Sequence, residues 1–132
     1  MPDTAVVATE TSTWAHMPCV LDSGPAARAA LGLIALASDS VIEPEVRTFL
    51  PQDGISLYVT RIPVLKKAGV AKLQAMEAQI PDAAARILPD EELGAIGFGC
   101  TSGSMVIGPE GVAAAVHGSP PGVPVTNPVS AA

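Results

Sequence analysis

The chain has 132 residues, of which 48% are apolar and only 3% aromatic, so it is one domain at most, with a core of Val, Ile, Leu and Ala. Its net charge of −6, with seven scattered basic residues and no basic stripe, excludes a grip on phosphate backbones and argues against nucleic-acid binding. The apolar run "AALGLIALA" is too short to cross a membrane and the first ten residues carry no basic leader, which points to a soluble cytoplasmic protein with reduced thiols.

Residues 1–28 show no sustained period and contain Pro18, Gly24 and Pro25, so a loosely ordered extension is expected there, followed by an α/β domain over 29–132. His16 and Cys19 read as residues of that tail. Cys19 and Cys100 fit no metal-ligand spacing, and a disulfide between them has little support. The continuous apolar run at 30–37 predicts a buried strand. "SDSVIEPEVRTFL" predicts a helix capped by Ser38, Asp39 or Ser40, with Glu43 and Glu45 near its start and Pro51 closing it. "ISLYVTRI" (55–62) predicts a second strand.

A helical stretch follows at 70–88. Val70, Leu73, Met76, Ile80, Ala84 and Ile87 share one face, and Pro81 kinks or divides it. "LGAIGF" (93–98) predicts a third strand. After a glycine-rich loop around Cys100, "PEGVAAAVHG" has the Pro-first, Gly-last asymmetry of a short helix, with His117 structural in its last turn. "GVPVT" (122–126) predicts a fourth strand.

The order β-α-β-α-β-α-β predicts an open parallel sheet with right-handed crossovers, strand order 2-1-3-4 and helices on both faces. Ligands of such sheets bind beyond the carboxyl ends of the strands. There the sequence places Ser38-Asp39-Ser40, then Cys100-Thr101-Ser102-Gly103-Ser104, then Thr126-Asn127. With strands one and three adjacent, Asp39 and Cys100 are expected to face one crevice. The sulfur of Cys100 is expected to open to solvent at this rim.

A thiol at a helix start is stabilised as the thiolate by the helix dipole and free N–H groups. The amides and hydroxyls of Thr101, Ser102 and Ser104 are suited to receive a carboxylate or a developing oxyanion. That combination fits proton transfer next to a carboxylate, or attack on an activated alkene. The alternative is a buried structural cysteine in a tight turn. Other motifs fail: Ser102 stands where a dinucleotide fingerprint needs its third Gly, no Lys completes a P-loop, Val106 stands where a low-molecular-weight phosphatase needs Arg, and Gly103 stands where a thioredoxin motif needs Cys.

The stretches "LGLIALASDSVIEPE", "LYVTRIPV" and "GFGCTSGSMVIGPEGV", followed by "PGVPVTNPVSAA", resemble the amino-terminal half of the aspartate/glutamate racemase superfamily, in the branch of maleate cis–trans isomerases, arylmalonate decarboxylases and ectoine-utilisation proteins. The resemblance covers about residues 30–132. It implies a flavodoxin-like half of a two-domain racemase-type fold whose second half, bearing the opposing thiol, is absent from this chain. It makes Cys100 the catalytic thiol and Thr101 and Ser102 carboxylate-binding residues. Asp39 falls where maleate isomerases carry Asn and other branches an acidic residue. With Ser104 added to the carboxylate cradle, and Asp39, Ser40 and Asn127 as further substrate-binding or orienting residues, the expected activity is isomerisation, racemisation or decarboxylation of a small carboxylic or dicarboxylic acid. The resemblance implies no metal or organic cofactor. The competing expectation is a non-catalytic half-domain that binds anions or associates with itself as a homodimer.

Overall fold

The computed structural model describes residues 18–64, 69–118 and 121–132. Residues 1–17 of the expected extension, His16 among them, lie outside the described residues. Four parallel strands form one sheet in the order β2-β1-β3-β4: β1 (Ala29–Leu36), β2 (Ile55–Ile62), β3 (Ala95–Phe98) and β4 (Val125–Thr126). The order is the one expected from the alternation of elements. β1 lies in the middle, pairing Leu31 with Leu57 on one side and with Ala95 on the other, and its continuous apolar run reflects burial on both faces. β2 is an edge strand, and Arg61 is exposed on it.

Strand parity sorts the side chains into two layers. Ile34, Ile62, Ile96 and Phe98 point to one face and form the main core with Ile80 and Ala84 of α3 (Ile80–Ala85) and Val112 and Val116 of α5 (Pro109–His117). Leu33, Ala35 and Leu57 point to the other face, under Ile42, Val46 and Leu50 from the region of α1 (Ile42–Phe49).

The stretch at 70–88 is divided as its proline requires. α2 (Val70–Ala75) and a 3-10 turn (Glu77–Gln79) precede α3, where Pro81 occupies the first turn and its missing N–H costs nothing. Met76, Ile80, Ala84 and Ile87 are buried as expected, whereas Val70 is exposed at the helix start. His117 ends α5, and its Nε2 lies 2.8 Å from the Val123 carbonyl, tying the helix to the approach to β4.

The expected cysteine loop is instead a helix. α4 (Thr101–Ile107) starts directly after Cys100 and is separated from α5 by Gly108 alone. Gly108 has φ +86°, a conformation that side-chain-bearing residues adopt only with strain, so it breaks the helical run and Pro109 restarts it.

Candidate functional site at the carboxyl rim of the sheet

The carboxyl ends of β1 and β3 lie side by side, and each is followed by a residue that caps the next helix. Asp39 Oδ1 accepts hydrogen bonds from the Val41 and Ile42 N–H groups, both at 2.9 Å. Cys100 is the N-cap of α4, and its Sγ accepts from the Gly103 N–H at 3.3 Å. Ile42 reaches across to Gly99, where a Cβ would overlap its Cδ1, so the starts of α1 and α4 meet at this point of the rim.

The N–H groups of Ile42 and Val41, with the charge of Arg61, hold the Asp39 carboxyl below its ordinary value and keep it anionic. Arg61 binds the rim together. Its Nη1 donates to the Leu36 and Asp39 carbonyls, the former at 3.0 Å and the latter at 2.6 Å, while its Nη2 reaches Glu43 Oε2 at 3.0 Å. Hydrogen bonds from Arg47 and then Arg61 lower the Glu43 carboxyl in turn. Arg61 follows from no motif in the sequence; it is found only when parallel pairing sets the end of β2 beside the end of β1.

Cys100 departs from expectation. Its residue is only 6% exposed and belongs to the main core with Phe98, so the sulfur does not stand open to solvent. The cause is parity: residues 96, 98 and 100 continue one alternation, and Cys100 follows Ile96 and Phe98 onto the α3/α5 face. Ser104 also departs. It is fully buried, and its Oγ donates to the Cys100 carbonyl at 2.8 Å, so the hydroxyl holds the first turn of α4 and is not presented to a ligand. Thr101 and Ser102 are exposed on that turn, and Ser40 is exposed beside Asp39. Both cysteines are free; Cys19 is exposed.

Asn127 is 3% exposed and caps a turn of its own. Its Oδ1 accepts from Val129 N at 3.0 Å and Ser130 N at 3.1 Å, and Ser130 Oγ in return accepts from Asn127 N at 3.0 Å. "NPVS" carries the signal for this reciprocal cap, which a substrate-orienting reading of Asn127 passes over.

Asn127 and Thr126 line an apolar groove of about 300 Å³ on the α1 face, into which none of Asp39, Ser40, Cys100, Thr101, Ser102 or Ser104 enters. A larger cleft, about 500 Å³, lies at the amino ends of β1 and β3, between Arg28, Tyr58, Glu91 and Gly94. No group of three or more His, Cys, Asp or Glu side chains is gathered for a metal ion among the described residues. Among them, no helix is long and apolar enough to cross a membrane.

The fold has counterparts among solved structures. The maleate isomerase Iso of Pseudomonas putida S16 superposes with a TM-score of 0.57 at 17% identity, over 75% of this chain and 44% of that one. The maleate cis–trans isomerase of Nocardia farcinica, in a variant with a covalently bound succinylcysteine intermediate, gives 0.57 at 22% identity and the same coverage. The fold is that of the maleate cis–trans isomerases. The chain spans less than half the length of these enzymes. No protein-family model matches the chain, and no curated protein is similar to it in sequence.

Proposed function

We propose that the chain is the first-half, thiol-bearing domain of a cofactor-independent isomerase or racemase of the aspartate/glutamate racemase superfamily. Its substrate is a small carboxylic or dicarboxylic acid, and Cys100 is its nucleophile or proton carrier. The observation that carries this reading is the position of Cys100, at the carboxyl end of β3 and the N-cap of α4, in a fold shared with maleate isomerases, one of which holds a succinylcysteine intermediate. Thr101 and Ser102, exposed on the first turn of α4, are the carboxylate contacts of this reading. In this reading Asp39 takes no substrate carboxylate, because its own charge opposes one, and with Oδ1 bonded to the Val41 and Ile42 N–H groups it serves to hold the rim.

Chemistry at a carbon centre from two sides needs a second body over the rim. Val41 and Met105, apolar and 53% and 70% exposed at the starts of α1 and along α4, are the surface such a body would cover. The same exposure favours the second reading, a self-associating half-domain that rebuilds a two-sided cleft as a homodimer.

The test is alkylation of Cys100 by iodoacetamide as a function of pH, in a Cys19→Ser background because Cys19 is the other, exposed thiol. Slowing of the reaction by maleate or a related dicarboxylate, with loss of that protection on Thr101→Val, supports the reading. Reaction at the rate of a free thiol, untouched by any dicarboxylate, overturns it.

A further inference from the structure

The cleft of about 500 Å³ at the amino ends of β1 and β3 lies at the end of the sheet opposite Cys100, and its size falls in the range of small-molecule sites, roughly 300–1,000 Å³. Ala30 of β1 lines it with a side chain too small to fill it. β1 runs between the two flanks. Tyr58 stands on β2, and Leu88 and Leu93 belong to the connection from α3 into β3. All three are half-buried against the main core and also line the cleft, which gives it an apolar, partly aromatic wall.

Charges of both signs line the same space. Arg28 is held along its length: its N–H donates to the Gly54 carbonyl at 2.8 Å, its Cγ would stand 3.0 Å from a Cβ on Gly54, and its Nη1 donates to the Asp53 carbonyl at 3.3 Å. The guanidinium keeps further N–H donors beyond that one bond. Glu91 and Glu92 follow a turn in which Leu88 and Asp90 both have positive φ, +46° and +69°. The Gly94 N–H fastens the end of this connection to the Ala30 carbonyl at 2.8 Å. Among the described residues the ion pairs are Arg47 with Glu43, Arg61 with Glu43 and Arg86 with Asp82. Arg28 and the two glutamates therefore share the cleft without an ion-pair contact between them.

We propose that this cleft binds a zwitterionic α-amino acid with an aliphatic or aromatic side chain. The Arg28 guanidinium takes the carboxylate, for which its planar fork is suited. The Glu91 and Glu92 carboxylates take the ammonium, and Tyr58, Leu88 and Leu93 take the side chain. An amine alone leaves the guanidinium unmatched, and an acid alone leaves both glutamates unmatched. A dicarboxylate, the class proposed for the thiol rim, meets two carboxylates here and is repelled, so the two ends of the sheet serve different ligands.

The full chain is titrated with L-phenylalanine and followed by heteronuclear NMR. Saturable shifts are expected at the amides of Ala30, Glu92 and Gly94, with those of Thr101 and Ser102 unmoved. Phenethylamine, which lacks the carboxylate, and 3-phenylpropionate, which lacks the ammonium, are each expected to bind about tenfold more weakly. Arg28→Gln and the double variant Glu91→Gln/Glu92→Gln are each expected to weaken L-phenylalanine about tenfold. Both glutamates are exposed, so the double variant keeps the fold and decides the matter even if Arg28→Gln does not. No saturable shift up to about 10 mM overturns the proposal, as does an affinity unchanged in the double variant. Phenethylamine or 3-phenylpropionate binding as tightly as L-phenylalanine also overturns it, since the site is then one for a simple cation or a simple anion.

Discussion

Replacing Cys100 by Ser and by Ala separates the sulfur's structural work from its chemistry. Cys100 Sγ does two structural things: it accepts the Gly103 N–H at 3.3 Å, and it fills space in the main core at 6% exposure. Loss of an N-cap acceptor costs about 1 kcal/mol, and losing a buried group of methylene size costs about 0.8 kcal/mol. Cys100→Ala is therefore expected to destabilise by about 2 kcal/mol, a fall in midpoint of roughly 8 °C for a chain of this size. Cys100→Ser keeps an oxygen at the cap, the acceptor preferred there, and is expected to cost no more than about 1 kcal/mol. Thermal melts followed by circular dichroism give the order wild type, Ser, Ala. Any thiol-dependent reaction should vanish in both variants, although the Ser variant stays close to wild type in stability. An Ala variant as stable as wild type, or a Ser variant less stable than the Ala variant, would refute the capping argument.

Gly32 lies in the central strand facing the main core, and a Cβ there would meet Ile96 Cγ1 at 3.0 Å and two Ile87 methyl groups at 3.2 Å. Gly32→Ala is expected to overpack this contact and cost about 1–3 kcal/mol, read as a lower urea midpoint with an unchanged slope; an unchanged midpoint refutes the packing described here. Asp39 gives a pH signature. Its carboxyl is lowered from an ordinary 3.8, so its contribution to stability is complete above that value and is lost as pH falls through the lower folded-state value. Asp39→Asn retains a capping oxygen but does not titrate, so wild type is expected to lose its advantage over this variant on acidification through that window, and a difference in midpoint that stays constant with pH would count against it.

Much of the architecture is written in local pattern. The apolar run of β1 and the β-branched alternation of β2 identify themselves, and the alternation of elements with right-handed crossovers leaves little freedom in strand order. α4 is different. "TSGSMVI" has weak helix formers and no apolar period, so nothing local announces a helix. It forms because Cys100 caps it, Ser104 bonds back to the Cys100 carbonyl, and Gly103 lets the first turn sit against Phe98, whose ring a Cβ at 103 would meet at 3.3 Å. These are tertiary and side-chain to backbone contacts, outside the reach of periodicity.

The site was legible in place but not in direction. Topology alone sends Asp39 and Cys100 to the carboxyl ends of adjacent strands. Direction was available from parity, since "IGFGC" alternates bulky and glycine positions and carries Cys100 inward with Ile96 and Phe98. Taken together, the rim shows one device used twice: a strand ends, a side-chain acceptor binds the N–H groups of the following helix, and the helix begins. At the end of β1 that acceptor is a carboxylate, whose Oδ1 takes the Val41 and Ile42 N–H groups, each at 2.9 Å. At the end of β3 it is a thiol, a weak acceptor facing a single N–H at 3.3 Å. The proposed chemistry therefore rests on Cys100, while Asp39, bonded through Oδ1 to Val41 and Ile42 and held by the charge of Arg61, keeps a positioning role.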